Sequence, residues 1–299
     1  MSEPVSGRVF DLGFRRYEGQ RQGRRRAVRA VYKDGLRIAM GLGRGGRAKI
    51  LPWLFIAAAI VPALVFALIA GAVDRLASGF SEELDLPSHA DFYAIAGIVL
   101  FVFAAVVGPE LFCPDRRDGT ISLYLVRPLR ATDYAIARWA ALTTVMVLVT
   151  WLPQLVLLAG LAFGAPEPGS YLADHWSDIP RFLIAGVVIA IYVSTITAMA
   201  SAFARRRAYA AAFLVGLLIL GGAVIGGLTD TLSASVGRWV ALLSIGDVPL
   251  YVNDLIFGEQ TSSIGAAADL PGIVQVGWFL VVAGTAGAIF LARYRKLSL

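Results

Sequence analysis

Six long apolar runs dominate the sequence and restrict what the chain can fold into. They cover residues 50–73, 92–112, 139–163, 182–203, 209–228 and 272–292. Each run is long enough to cross a hydrocarbon layer of about 30 Å as a helix rising about 1.5 Å per residue. Hydrophobic residues make up 58% of the chain and charged residues 16%, which is unlike an ordinary soluble domain. The sequence therefore predicts an all-α integral membrane protein, with a six-helix transmembrane domain at residues 50–299 after a basic region at residues 1–49.

Basic residues are distributed unevenly between the connections of these runs. All but three of the 27 lysines and arginines lie in the N-terminal region, the 113–138 loop, the 205–207 turn and the C-terminal tail. The three exceptions are Arg75, Arg181 and Arg238, in connections that hold more acidic than basic residues. Because positively charged loops stay on the cytoplasmic side, both termini of this multi-pass protein are predicted to face the cytoplasm, at the cell (cytoplasmic) membrane.

Residues 25–40 have the pattern of an amphipathic helix. Apolar residues such as Val28, Val31 and Leu36 recur at roughly helical spacing between arginines. A basic helix of this kind binds the surface of an anionic membrane leaflet, so membrane lipid is an expected partner. The residues predicted to form this membrane-surface helix are Arg25, Arg26, Arg29, Tyr32 and Arg37. A nucleic-acid site is the weaker interpretation and is not expected, since the basic run leads directly into a membrane span.

The glycine-rich stretch at residues 41–48 has some of the spacing of a phosphate-binding loop but lacks its chemistry. Such a loop needs Lys and then Ser or Thr after its second fixed glycine, and these positions hold Arg47 and Ala48. The chain itself is therefore not expected to bind ATP.

Residue types that carry catalysis or ion transport are scarce. Cys113 is the single cysteine, which excludes an internal disulfide, and His89 and His175 are predicted to lie in polar connections. No hydrolase or metalloprotease motif occurs, and neither a catalytic site nor a metal site is predicted. Ion-driven transporters place ionisable groups inside their spans, where this chain has very few. An ion-gradient-driven secondary transporter or channel is thus the alternative, and a lipid-modifying membrane enzyme is a weaker one.

The connection at residues 229–271 is long and contains two short apolar pieces, divided near Asp247. Neither piece is long enough to cross a bilayer. The pattern predicts re-entrant or interfacial helices between spans five and six.

The loop between spans two and three is the most distinctive polar segment. Turn signals occur at Asp118-Gly119 and at Arg127-Pro128, and a short apolar stretch lies between them at residues 120–126. An apolar helix of this length, flanked by arginines, is suited to docking in a groove of another protein.

This loop resembles that of the membrane subunits (permeases) of ABC-type-2 exporters. In that family an acidic residue and basic residues precede Gly-Thr, an apolar helix, an Arg-Pro or Ser-Pro pair and a basic residue that opens span three. Arg138 holds the last of these positions. The residues that match the loop are Asp115, Arg116, Arg117, Asp118, Gly119, Thr120, Leu123, Tyr124, Arg127 and Pro128.

The resemblance implies a function, a partner set and a role for these residues. They would form a short cytoplasmic coupling helix that docks on a nucleotide-binding subunit. Two such ATPase subunits would bind ATP and Mg, so no cofactor is expected in this chain. A second permease subunit, identical or paralogous, would complete the transporter. The implied activity is export of an amphipathic or lipid-like substrate or a drug, and the substrate path is not predicted.

Overall fold

The computed structural model describes residues 23–43, 45–76, 88–125, 129–165, 167–260, 267 and 269–296. Over these residues the chain forms helices joined by turns and short connections. The helices are α1 (Gly23–Ala39), α2 (Gly46–Leu76), α3 (His89–Arg117), α4 (Ile121–Leu125), α5 (Ala131–Gly164), α6 (Pro168–Asp174), α7 (Asp178–Phe203), α8 (Arg207–Thr231), α9 (Ala234–Ala241), α10 (Val248–Phe257) and α11 (Gly272–Arg295).

Six of these helices are long and apolar enough to cross a membrane: α2, α3, α5, α7, α8 and α11. The predicted all-α fold with six membrane spans is therefore confirmed. Helices α3 and α5 extend beyond the apolar runs that predicted them, to Arg117 and from Ala131. A helix satisfies its own backbone hydrogen bonds, so it can continue past the hydrocarbon layer with polar side chains.

The bundle is built around α7, which packs against α3, α5, α10 and α11. Of the most apolar 18-residue stretch of α7, 67% is buried inside the chain, whereas the figure for α8 is 6%. Helix α8 packs on α3 and α9 and leaves large apolar residues such as Phe213 and Leu220 exposed. In a membrane these side chains are covered by lipid or by another spanning helix.

Helix α1 packs along α5. At the crossing, a Cβ atom added to Gly35 would lie 2.7 Å from the Cβ of Ala141, so the two backbones approach more closely than any side chain at position 35 would allow. The Tyr32 hydroxyl makes a hydrogen bond of 2.9 Å with Oγ1 of Thr144. The apolar face of this amphipathic helix is thus used, at least in part, by the chain itself.

Two short helices, α9 and α10, lie between α8 and α11, as the 229–271 pattern predicted. Their connection is held by side chains that donate to its carbonyl oxygens. Tyr192 of α7 donates to Ile245 (2.9 Å), Trp278 of α11 to Leu242 (2.6 Å), and Tyr251 of α10 to Ala241 (2.8 Å). The segment from α9 to α10 is therefore fastened to α7 and α11.

His89 differs from its predicted place in a polar connection. It is the first residue of α3 and is buried, with Nδ1 2.7 Å from Oε1 of Gln154 and its ring stacked on Phe182. The Gln154 amide also donates to the His89 carbonyl oxygen at 2.8 Å. A capping box formed by Ser88 and Asp91 starts the helix here. This Ser-x-x-Asp pattern was the sequence signal for the true helix start.

Candidate functional site at the arginine-rich end of the bundle

The site is formed where α3 ends, α5 begins and α1 crosses them both. Residues 118–120 form the turn that leaves α3, and α4 follows immediately. Gly119 has a φ of +69°, in the left-handed region where glycine is favoured because it has no Cβ. The Asp118 N–H donates to the Pro114 carbonyl oxygen at 2.9 Å and closes α3. The predicted turn at Asp118-Gly119 thus sets the direction of α4.

Arg138 joins three helices at this end. Its side chain is only 1% exposed, and Nη2 lies 3.0 Å from a carboxylate oxygen of Asp34 on α1 and 3.0 Å from one of Asp115 on α3. The Tyr134 hydroxyl donates to the same Asp115 oxygen, and the Tyr134 ring lies under the guanidinium, 5.5 Å from ring centroid to Cζ. A buried cation is tolerated only with partners of this kind. The network therefore fixes α1, α3 and α5 relative to one another.

Arg116 is used to bind α7 to α3. Its guanidinium donates to the carbonyl oxygens of Ser201, Ala202 and Ala204, where α7 ends. The last carbonyls of a helix have no intrahelical partner and carry partial negative charge, so a cation there is favourable. Arg116, which was predicted to contact a partner protein, is therefore engaged within the bundle.

Thr120 and Tyr124 hold α4 against the network. Thr120 Oγ1 lies 3.3 Å from the Asp115 carbonyl oxygen and 3.2 Å from Oδ1 of Asp115. The Tyr124 ring packs on Tyr134 with 5.4 Å between centroids. Burial, and then the charge of Asp115, raise the pKa of Tyr124, so its phenol is neutral at physiological pH. Tyr124 also lines a 210 Å³ cavity between α4 and α1, together with Val31 and Asp34.

Other predicted residues face outward. Leu123 on α4 is 69% exposed, which is unusual for a leucine beside a well-packed network. Arg117 and Asp118 form an exposed ion pair of 2.8 Å, and the hydrogen bond from Arg117 lowers the pKa of Asp118. Arg127 and Pro128, the second turn signal, lie outside the described residues. Some of the predicted residues thus hold α4 against the bundle, and others, such as Leu123 and Arg117, are exposed at its surface.

The predicted membrane-surface residues also divide. Tyr32 faces α5, whereas Arg25, Arg26, Arg29 and Arg37 are exposed. Three of these arginines, Arg26, Arg29 and Arg37, line a shallow groove together with Lys33. The exposed face of α1 is therefore a basic stripe of about three turns.

Sequence reasoning missed the acidic partners of this end. Neither Asp34 on α1 nor Asp133 on α5 was singled out from the sequence. Asp133 receives two hydrogen bonds of 2.7 Å from Arg24, and Glu110 pairs with Arg207 at 2.7 Å. These pairs join residues about 100 positions apart, and no local pattern identifies them. Among the described residues, no group of three or more His, Cys, Asp or Glu side chains is arranged to hold a metal ion.

Comparison with known proteins identifies the family. The model of a family described as "ABC-2 family transporter protein" matches residues 71–236, more than half of the chain and the part that holds the whole α3–α4–α5 site. No curated protein matches the chain significantly. Members of this family associate with ABC ATPase subunits. The chain, with its six apolar spans, therefore belongs to the ABC-2 family of transporter proteins and is a multi-pass membrane permease of an ABC transporter.

Proposed function

We propose that this permease is the membrane subunit of an ATP-driven exporter, and that α4 with its flanking turn is the helix through which ATP hydrolysis is coupled to the spans. The observation that carries the proposal is the contrast at α4 itself. Leu123 projects 69% exposed from a short helix that is held by Tyr124, which packs on Tyr134, and by the preceding Thr120, which bonds to Asp115 of the Arg138 network. An apolar side chain presented on a rigid support is what docking into a groove of a partner requires.

The support also explains how a push on α4 would reach the membrane. Thr120 connects the turn to Asp115, and Asp115 connects through Arg138 to α5 and α1. Arg116 carries the same displacement to the end of α7, the most buried span. A motion at α4 is thereby shared by α1, α3, α5 and α7 instead of being absorbed by one loop.

The partner set follows from this mechanism. Two cytoplasmic nucleotide-binding subunits would hold ATP and Mg, and a second permease subunit, identical or paralogous, would provide the other half of the path. ATP can drive the cycle only if the ATPase subunits bind it more tightly when the permease is in one of its two states. The positive charge concentrated near α1 and the α3–α5 connection favours placing this end and both termini in the cytoplasm. The apolar spans suit an amphipathic cargo.

The test compares variants at the two ends of the bundle. The tagged chain is purified in mild detergent together with its ATPase subunit, and ATP hydrolysis is measured after reconstitution into vesicles. Arg117→Glu and Leu123→Ala should each abolish coupled hydrolysis and leave the spans folded. Arg181→Glu is the matched control, because Arg181 forms a similar exposed ion pair with Asp178 at the opposite end; it should hydrolyse ATP like the wild type.

Normal coupled turnover in both Arg117→Glu and Leu123→Ala would overturn the assignment of α4. Transport driven by an ion gradient, with no ATPase present, would instead support the alternative of a self-contained secondary transporter.

A further inference from the structure

A cleft of 440 Å³ opens between α3 and α8 in the half of the bundle farthest from the arginine-rich end. One wall is the first half of α3, including Gly97 and Phe101, and the other is the second half of α8, including Ile219 and Gly222. The connection between α9 and α10 closes it with Ser244 and Asp247. The cleft is therefore a mainly apolar chamber with one polar end.

Asp247 is the ionisable group among the described residues that line this chamber. It is only 6% exposed, and Ser244, which is 1% exposed, donates a hydrogen bond of 3.0 Å to its carboxylate. Desolvating a carboxylate in the membrane domain is costly, and such groups are retained mainly where they act on a ligand or a path.

The carboxylate of Asp247 does not cap the helix that follows it. Asp247 occupies the N-cap position of α10, where an aspartate usually accepts from the backbone N–H groups of the first turn. Within the described part of the chain, its side chain makes no capping hydrogen bond to α10. The carboxylate instead lies beside Ser244 at the end of the chamber.

Glycines give the chamber its width. A Cβ added to Gly97, Gly222 or Gly226 would meet no atom within 4 Å, so the space in front of each backbone is open. Each of these positions lies on the chamber wall. The volume is therefore available to a ligand, and a Cβ atom at any of these positions would enter it without a clash.

We infer that this chamber is a cargo-binding site for amphipathic organic cations, with the apolar walls of α3 and α8 covering the hydrophobic body and Asp247 pairing with the positive charge. This inference rests on the proposed transport function and names the cargo class. An apolar pocket with one placed charge is the usual form of a site that selects by charge as well as by shape. A buried carboxylate attracts a cation and repels an anion of the same shape.

The experiment uses two ions of nearly the same shape and opposite charge. Equilibrium binding of radiolabelled tetraphenylphosphonium and of tetraphenylborate is measured on the purified full chain in non-ionic detergent, without any ATPase subunit. Tetraphenylphosphonium should bind saturably, and tetraphenylborate should not. Asp247→Asn, which keeps the shape and an acceptor for Ser244, should weaken cation binding by at least about tenfold.

Two further variants test the location. Gly222→Leu should abolish binding by filling the chamber. Gly227→Leu is the matched control, because Gly227 also has open space before it but does not line the chamber, and it should bind like the wild type. Asp230→Asn, at the exposed end of α8, is the corresponding control for charge.

Equal binding of the two ions, or cation binding unchanged in both Asp247→Asn and Gly222→Leu, would overturn the site. That result would not bear on the coupling role of α4, because the binding assay contains no ATPase and α4 is tested by separate variants. Failure of the α4 variants with intact cation binding would instead count against the coupling proposal alone.

Discussion

The two ends of this membrane bundle are built on opposite principles. At the arginine-rich end, the buried Arg138 and the half-buried Arg116 join α1, α3, α5 and α7 through ion pairs and hydrogen bonds, and the Gly35–Ala141 crossing leaves no space. At the other end, a cleft opens between the first half of α3 and the second half of α8, and glycines leave open volume beside Asp247. The helices are thus tightly joined at the end where we propose that the ATPase subunits dock. They leave open volume at the end where we propose that cargo binds.

The strongest test of this contrast removes the central cation. Arg138→Met leaves the half-buried Asp115 beside Tyr134 without its counter-charge. We expect a loss of about 3 kcal/mol in the free energy of unfolding, at the low end for a broken buried pair because Asp115 keeps some contact with solvent. The thermal midpoint in mild detergent, followed by tryptophan fluorescence, measures the change. Gly222→Leu at the open end is the contrasting variant. It should leave the midpoint unchanged or raise it, because it improves helix propensity and fills space. Equal losses in both variants would break the comparison.

A smaller effect is expected from forcing α1 away from α5. In Gly35→Val the new Cβ would meet the Ala141 Cβ at 2.7 Å, so one helix must shift, at a cost of about 2 kcal/mol. Limited trypsin digestion should then cleave α1 at its arginines faster than in the wild type. Gly45→Val provides the control, since nothing lies within 4 Å of that Cβ. An unchanged digestion pattern in Gly35→Val would show that α1 does not depend on this crossing.

The smallest effect should come from the exposed pair at the same end. Arg24→Gln removes two hydrogen bonds to Asp133, but the arginine is in water and the pair is screened. The thermal midpoint should not move measurably at physiological salt. A clear drop would mean that the stability of this end does not come from its buried network alone.

Sequence reasoning reached the fold because the dominant signal is local. An apolar run of twenty or more residues is stable in a bilayer as a spanning helix, so the six spans could be predicted from the six runs. The ends of α3 at His89 and Arg117 were predicted less accurately, because polar residues lower the hydropathy several positions before the helix itself ends.

The contacts of the candidate site could not be predicted from the sequence. The loop pattern singled out residues between Asp115 and Pro128 and treated Arg116, Arg117 and Leu123 as equivalent. Only the packing shows that Arg116 is engaged with α7 while Leu123 is exposed. The pairing of Arg138 with Asp34 and Asp115, and the chamber beside Asp247, depend on how distant helices meet, which no spacing along the chain encodes.

The most direct test of the coupling role is a mild-detergent purification of the tagged wild-type chain from its own cells, with ATPase activity measured on the eluate. The account predicts a stoichiometric soluble ATPase of the cassette type in the eluate, which the Leu123→Ala chain fails to stimulate on reconstitution. A wild-type chain that elutes alone and without ATPase activity at every detergent strength tested would contradict it.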